Sequence, residues 1–209
     1  MTKIKICGIK TLNDALAAID AGAEYLGFNF YSRSPRFVET PVCVEITSAI
    51  KAKHPQIKLV GVFVNSSVDE IKRIMQTCSL DLAQLHGDET PEMFLQLAPI
   101  AFKAFRSVPA ELTGYERDIV PALLVDASVK DKYGGSGITA DWSAAAELAR
   151  RVPLLLAGGL TPENVADAVR QVQPWGVDVA SGVESAPGQK DAAKMSAFIK
   201  AVQQVEVQV

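Results

Sequence analysis

The sequence predicts an α/β fold, a single-domain (βα)8 TIM barrel in which eight parallel strands close into a ring covered by helices. Short apolar runs alternate with amphipathic stretches along the whole chain, and most of these runs are apolar on both faces. Strands buried on both faces and separated by helices form parallel sheets. Eight such units, about 26 residues apart, fit a closed barrel near the lower end of its usual length.

The strand and helix patterns can be bounded along the chain. Strand-like runs lie at 3–7, 25–30, 58–64, 81–86, 100–106, 122–127, 153–158 and 176–181. Helix-like patterns lie at 12–21, 42–53, 68–78, 91–97, 142–151, 162–172 and 191–202. The segment 109–118 has the weakest pattern, so the fifth helix is predicted to be weak or missing. No linker or shift in composition interrupts the chain, and we expect one domain over residues 1–209.

Three helices have recognisable starts. Thr90-Pro91 and Thr161-Pro162 each place an N-cap residue before a proline at the first helical position. Ser67 through Glu70 fits a capping box. Each helix is therefore predicted to begin directly after its cap. A doubly wound open sheet is the alternative fold, but its usual glycine-rich first turn is here Cys7-Gly8-Ile9-Lys10.

Composition and charge exclude several classes of partner. The net charge is −3 with no basic stripe, which argues against nucleic acid. No window approaches the roughly 18 apolar residues of a membrane span, and no apolar stretch follows the N-terminus as in a signal peptide. The three cysteines form no C-x-x-C pair, which argues against zinc clusters and predicts a reducing, cytoplasmic location. The helix faces show no apolar excess that would define an oligomeric state.

Small residues follow the last two predicted strands. In a barrel, function lies at the C-terminal ends of the strands, and here these ends carry Gly158-Gly159 and Ser181-Gly182. Such loops can offer backbone N–H groups to a phosphate, and a Cβ would keep the backbone away from the anion. One pair alone would be read as a tight turn, but two in neighbouring loops favour a small phosphorylated ligand.

A glycine-rich run follows the sixth strand. It comprises Gly134, Gly135, Ser136 and Gly137, and with Ala140 it matches a dinucleotide-binding pattern by chance. The run does not directly follow a strand, and no carboxylate stands about 20 residues on, so we discard that match. A loop that covers substrate and an ordinary flexible loop both remain open.

Four further strand-end residues carry candidate chemistry. Asp126 closes an apolar run, where partial burial would favour its protonated form and suit a general acid, with a turn or capping role as the alternative. Cys7 could be a nucleophile or base, although by itself it is better explained by core packing. Arg36 suits a carboxylate ligand or is plain surface. His86 is expected to be structural, since a metal site with two histidines is not supported here.

The ordered set of strand-end segments resembles the phosphoribosylanthranilate isomerase family of tryptophan biosynthesis. The resemblance runs from residue 3 to about 200. It is carried by Lys5-Ile6-Cys7-Gly8, Gly27-Phe28-Asn29-Phe30, Ser34-Pro35-Arg36, Gly61-Val62-Phe63-Val64-Asn65, Gln84-Leu85-His86-Gly87, Gly134-Gly135-Ser136-Gly137, Ala157-Gly158-Gly159-Leu160, Asn164-Val165, Ser181-Gly182-Val183-Glu184 and Pro187-Gly188-Gln189-Lys190-Asp191. Ser136 stands where the family often has threonine, which is a conservative departure.

The resemblance implies an Amadori rearrangement that needs neither a cofactor nor a metal. By resemblance, Cys7 would be the general base, Asp126 the general acid and Arg36 the residue that binds the carboxylate of the substrate. The loops at 158–159 and 181–182 would bind its phosphate. Two alternatives stay open. A pentose-phosphate epimerase would need metal-binding histidines, and His54 lies in a predicted surface turn. A binding module without catalysis would leave Cys7 simply packed.

Overall fold

The strands close into a parallel barrel. The computed structural model describes residues 1–115, 120–126 and 142–206. The eight strands follow one another in sequence order around the ring, and the last pairs with the first. They are β1 (Lys3–Cys7), β2 (Tyr25–Asn29), β3 (Lys58–Phe63), β4 (Leu82–Leu85), β5 (Ala101–Phe105), β6 (Leu123–Asp126), β7 (Leu154–Ala157) and β8 (Gly176–Val179). The predicted barrel is confirmed, and the open doubly wound sheet is wrong.

Helices cover the outside of this ring. They are α1 (Leu12–Ala21), α2 (Thr40–Lys53), α3 (Val68–Thr77), α4 (Pro91–Gln96), α5 (Trp142–Ala149), α6 (Val165–Val172) and α7 (Ala192–Glu206). Between β5 and β6 the described residues form turns and irregular backbone, as the weak pattern at 109–118 predicted. A short 3₁₀ helix (Ser181–Val183) and a two-stranded hairpin, β9 (Glu184–Ala186) and β10 (Gln189–Lys190), follow β8.

Two of the three predicted helix starts are confirmed. The Ser67 side chain accepts a hydrogen bond from the N–H of Glu70 at 3.2 Å, and the Thr90 side chain accepts one from the N–H of Met93 at 3.3 Å. These bonds satisfy N–H groups that have no partner within the helix.

The third predicted start is wrong, because α6 begins at Val165 rather than at Pro162. Asn164 explains the difference. Its side-chain oxygen accepts from the N–H of Thr161 at 2.8 Å, and its amide donates to the carbonyl of Gly159 at 2.9 Å. Residues 162–164 therefore form a turn tied to the loop after β7, and the helix starts one turn later.

Alternation along the strands separates two apolar layers. Ile4, Ile6 and their counterparts on other strands face the helices and belong to the larger core. The inward positions form a smaller cluster of Val60, Phe102, Ala104, Leu124, Leu155 and Ala157. Side chains at i and i+2 of a strand share a face, so Lys5 and Cys7 also point into the barrel, as does Asp178 on β8. Polar groups therefore lie inside the ring, close to its C-terminal mouth.

Candidate active site

The predicted site residues within the described ranges gather at one end of the barrel. Cys7 and Asp126 are the last residues of β1 and β6. The pairs Gly158-Gly159 and Ser181-Gly182 follow β7 and β8. All eight strands are parallel, so their C-terminal ends form a single mouth. Walking from β1 through β8 and β7 to β6 takes three steps around the ring, so the thiol and the carboxyl group flank the opening.

Cys7 lies in a tight space made by a glycine. The residue is 7% exposed, and its register neighbour on β2 is Gly27. A Cβ placed on Gly27 would lie 2.9 Å from the Cys7 sulfur and 3.1 Å from the Lys5 ammonium nitrogen. Burial raises the pKa of the Cys7 thiol, while the neighbouring Lys5 acts in the opposite direction. Cys7 is thus both packed in the barrel interior and close to the Lys5 cation.

Lys5 and Asp178 form a buried ion pair that the sequence analysis missed. The Lys5 nitrogen donates to Asp178 Oδ1 at 2.8 Å, with 1% and 8% of the two side chains exposed. Burial by itself would lower the pKa of Lys5, but Asp178 and Cys7 outweigh it and raise that pKa. The signal was present in the sequence, because both residues sit at inward positions of β1 and β8, and these strands meet where a barrel closes. The register places the two residues opposite each other.

Arg36 already has a carboxylate partner within the chain. Its Nε and Nη2 groups donate to the two oxygens of Glu184, each at 2.7 Å. Lys190 donates to the same carboxylate at 3.0 Å. The stem of Arg36 packs against Gly8, where a Cβ would approach the arginine Cδ to 2.7 Å. Glu184 thus occupies the Nε–Nη2 edge of the guanidinium, and within the described residues the Nη1 group has no hydrogen-bond acceptor.

The pKa of Glu184 reflects this pairing. Burial would raise the pKa of its carboxyl group, but the hydrogen bonds and charges of Arg36 and Lys190 outweigh burial and lower it. The side chain is only 4% exposed, so the carboxylate is a fixed part of the mouth. Sequence reasoning missed Glu184 as a partner because 148 residues separate it from Arg36.

The two small-residue loops after β7 and β8 touch each other. Gly158 and Gly159 have φ values of 98° and 61°, a left-handed backbone that favours glycine. A Cβ on Gly182 would lie 1.9 Å from the carbonyl oxygen of Leu160. That distance admits no side chain at 182, so the loop after β8 rests directly on the loop after β7. Ser181 begins the 3₁₀ helix at this point and is exposed.

His86 stands between charged groups near the mouth. Its Nδ1 lies 2.8 Å from the side-chain nitrogen of Gln84. Burial lowers the pKa of His86. Lys5 also acts to lower this pKa, whereas Asp178 acts to raise it. A neutral imidazole that accepts at Nδ1 carries its proton on Nε2. The structural role expected for His86 stays a prediction.

The remaining predictions concern the glycine-rich run after the sixth strand, metals and membranes. The segment 134–137 lies outside the described residues. Within the ranges that the structure covers, no group of three or more His, Cys, Asp or Glu side chains could hold a metal ion. The helices of the described chain include none long and apolar enough to cross a membrane.

Fold and mouth together define a (βα)8-barrel enzyme. The family model described as N-(5'phosphoribosyl)anthranilate (PRA) isomerase matches residues 4–201. An N-(5'-phosphoribosyl)anthranilate isomerase of Geotalea uraniireducens is 46% identical over 201 residues, which cover 96% of this chain and 98% of the relative. The chain therefore belongs to the N-(5'-phosphoribosyl)anthranilate isomerase family, and its enzyme class is that of an isomerase.

Solved structures agree with this assignment. The phosphoribosyl anthranilate isomerase of Thermotoga maritima superposes with a TM-score of 0.86 at 37% identity, covering 98% of this chain and 100% of that one. A second isomerase structure has a TM-score of 0.83 at 35% identity, covering 98% of this chain and 100% of that one. That protein is in complex with reduced 1-(o-carboxyphenylamino)-1-deoxyribulose 5-phosphate.

Proposed function

We propose that this chain converts N-(5-phosphoribosyl)anthranilate to 1-(2-carboxyphenylamino)-1-deoxyribulose 5-phosphate in tryptophan biosynthesis, with Cys7 as general base and Asp126 as general acid. The observation that carries the proposal is the ligand of the related structure, a reduced analogue of this product. The proposal assigns its three parts to features of the mouth: the carboxylate to Arg36, the sugar chain to the space between Cys7 and Asp126, and the phosphate to the two small-residue loops. The reaction is an internal transfer of hydrogen and is proposed to need neither a metal nor a cofactor.

The acid step belongs to Asp126. In its protonated form the carboxyl group gives a proton to the furanose ring oxygen, and the C–O bond breaks as the nitrogen lone pair forms a Schiff base. Asp126 ends β6 and is half-buried at the mouth, so it can meet a ligand while still exchanging protons with water. A positioned acid of this kind typically contributes about 10²- to 10⁴-fold.

The base step belongs to Cys7. Its thiolate takes the proton from the carbon beside the imine, which leaves an enolamine that tautomerises to the ketone. Cys7 and Asp126 stand three strands apart around the ring, so they can act on different sides of the sugar. Burial raises the pKa of Cys7, so the proposal requires a nearby cation to keep the thiolate within reach at neutral pH.

Binding belongs to Arg36 and the two loops. The free Nη1–Nη2 edge of Arg36 suits the anthranilate carboxylate, while Glu184 holds the other edge. Gly158, Gly159, Ser181 and Gly182 offer backbone that can approach the phosphate closely. The segment 134–137 is proposed to cover the substrate. We propose that one domain spanning residues 1–209 carries all of these functions.

The test supplies the labile substrate continuously. Anthranilate, phosphoribosyl pyrophosphate and a transferase form it in situ, and the loss of its fluorescence measures turnover. Enzyme-dependent decay above background is expected, and its absence would remove the isomerase proposal. Cys7→Ser and Asp126→Asn should each lose most of kcat with the melting temperature preserved, whereas a binding module without catalysis predicts no change. Arg36→Met should mainly raise KM, and an unchanged KM would exclude it from the carboxylate site.

A further inference from the structure

Lys5 is a buried lysine that the proposed mechanism leaves without a role. It is among the largest fully buried side chains of the described residues. A buried ammonium group is costly unless it is paired, and replacing both members of a buried ion pair by well-packed apolar residues is often no less stable. The position of this cation beside Cys7 therefore needs an explanation other than stability.

The geometry brings Lys5 and Cys7 together from one strand. They are two residues apart on β1, so both face the barrel interior. Both the sulfur and the ammonium nitrogen lie close to the point where Gly27 would carry a Cβ, at 2.9 and 3.1 Å respectively. The two atoms are therefore no more than about 6 Å apart. Gly27 leaves the space in which they approach each other.

We propose that Lys5 is a positioning residue for Cys7, whose thiolate it stabilises from a place fixed by Asp178. The role of the thiolate as general base rests on the function proposed above, but the stabilisation of the thiolate by Lys5 does not. Asp178 fixes the ammonium group through the 2.8 Å hydrogen bond across the β1–β8 seam. The lysine has three donors, so a bond to Asp178 leaves donors for the sulfur.

Other charged groups also act on Cys7. Lys5 and Lys190 lower the pKa of the thiol, and Asp178 raises it. Arg36 also interacts with Cys7 but is held by Glu184. Across the mouth lie two more titratable groups, Asp126 on β6 and His86 after β4. Among the groups named, Lys5 is the cation with the strongest effect on the thiol.

Lys5 is poorly suited to be the base itself. Its pKa is raised, since Asp178 and Cys7 together outweigh the effect of burial. It therefore stays protonated through the neutral range, which is the state that stabilises a thiolate and cannot accept a proton. The division of labour follows: Cys7 exchanges the proton, and Lys5 sets how readily it does so.

The test measures the Cys7 thiolate directly. Ultraviolet thiolate absorbance is followed against pH in each variant, and the spectrum of the same variant carrying Cys7→Ser is subtracted to remove Cys43 and Cys78. Lys5→Met should raise the pKa of Cys7 by about two units, the effect of a unit charge at about 6 Å with an effective dielectric constant of about 20. Asp178→Asn keeps an oxygen that can accept from Lys5 but removes the anion near the thiol, so it should lower the pKa of Cys7.

The double variant makes the expected order specific. Lys5→Met with Asp178→Asn removes both charges, so its thiol should titrate above wild type but below Lys5→Met alone. A purely structural role for Lys5 predicts no such order. If Lys5→Met does not fold, the double variant and Asp178→Asn still decide, since they should move in opposite directions from wild type. Equal or reversed shifts overturn the proposal.

Lys103→Met is the matched control. Lys103 is also a buried lysine, paired with Glu89 at 3.1 Å, but it lies under the β4–α4 loop and not beside the thiol. Its loss should leave the Cys7 titration in place, and an equal shift would overturn the proposal. The pH profile of kcat/KM then separates the two claims. If the pKa of the Cys7 thiol shifts as expected but the pH profile of kcat/KM does not shift with it, Cys7 is not the general base. The stabilisation of the thiolate by Lys5 would still be supported.

Discussion

Replacing Glu184 with glutamine tests how the mouth holds Arg36. The carboxylate is 4% exposed and accepts from Arg36 twice at 2.7 Å and from Lys190 at 3.0 Å. Removing one side of a buried ionic cluster costs about 3–5 kcal/mol. Glutamine keeps one acceptor oxygen, so we expect the lower end, about 3 kcal/mol. For a chain of this size each kcal/mol moves Tm by about 2–4 °C, which gives a fall of about 6–12 °C.

The pH dependence of this loss has a defined sign. The pKa of Glu184 in the folded chain is lower than its ordinary value of 4.5. A carboxyl group with a lowered folded pKa contributes stability that is complete above its unfolded pKa and is lost as pH falls through the folded one. The difference in Tm between wild type and Glu184→Gln should therefore be full at neutral pH and shrink below about pH 4.5.

Thermal unfolding followed by circular dichroism at several pH values measures this effect, and the substrate-depletion assay follows function. KM should rise more than kcat falls, because Arg36 loses the partner that orients it. Glu147→Gln is the control, since Glu147 forms a surface ion pair with Arg150 and is 73% exposed, and its Tm should not move. A Tm loss for Glu184→Gln that is absent at neutral pH, or that grows towards acid pH, would refute the reasoning.

Two further predictions concern the loops around the mouth. Gly182→Ala should weaken competitive inhibition by inorganic phosphate at least tenfold, because its Cβ would lie 1.9 Å from the Leu160 carbonyl oxygen and force the two loops apart. Gly159→Ala should have a smaller effect, because its Cβ would meet nothing within 4 Å and only its φ of 61° is unfavourable. A larger effect for Gly159→Ala than for Gly182→Ala would contradict this prediction. Lys103→Met should lower the unfolding free energy by about 3–5 kcal/mol in urea titrations, because it leaves the buried Glu89 without its cation. An unchanged midpoint would show that the backbone N–H groups around Glu89 suffice.

The strand order could be predicted because every strand and helix of a closed parallel barrel has the same recognisable sequence pattern. Each strand is buried on both faces, and each connection returns over the outside, so local patterns add up to one topology. Helix starts were predictable where a side chain caps its own helix, as at Ser67 and Thr90. The start of α6 was not predictable, because the Asn164 side chain forms hydrogen bonds with the backbone of Gly159 and Thr161. These bonds make the preceding turn part of the loop after β7. A tertiary contact there overrides the local cap signal.

The candidate site was predictable in its positions but not in its pairings. Strand ends located Cys7 and Asp126, because parallel strands bring all their C-terminal ends together. The partner of Arg36 could not be predicted, since Glu184 lies far along the chain in a short hairpin. Lys5 was passed over because a lysine in a short strand is usually read as an exposed residue. Its alternation with Ile4 and Ile6 places Lys5 on the inward face of β1, and the closure of the barrel sets it opposite Asp178.

The pairing of β1 with β8 has a consequence for how the chain matures. Lys5 is among the earliest residues to be synthesised and Asp178 among the latest, and 173 positions separate them. During translation Lys5 has no Asp178 to pair with until the final strand has been synthesised and completes the ring. Contacts of such long sequence separation are slow to form, because the entropy of closing a long loop is lost before the contact is made. A nascent or truncated chain that lacks β8 therefore has no Asp178 to pair with Lys5, and this ion pair forms in the same step that closes the ring.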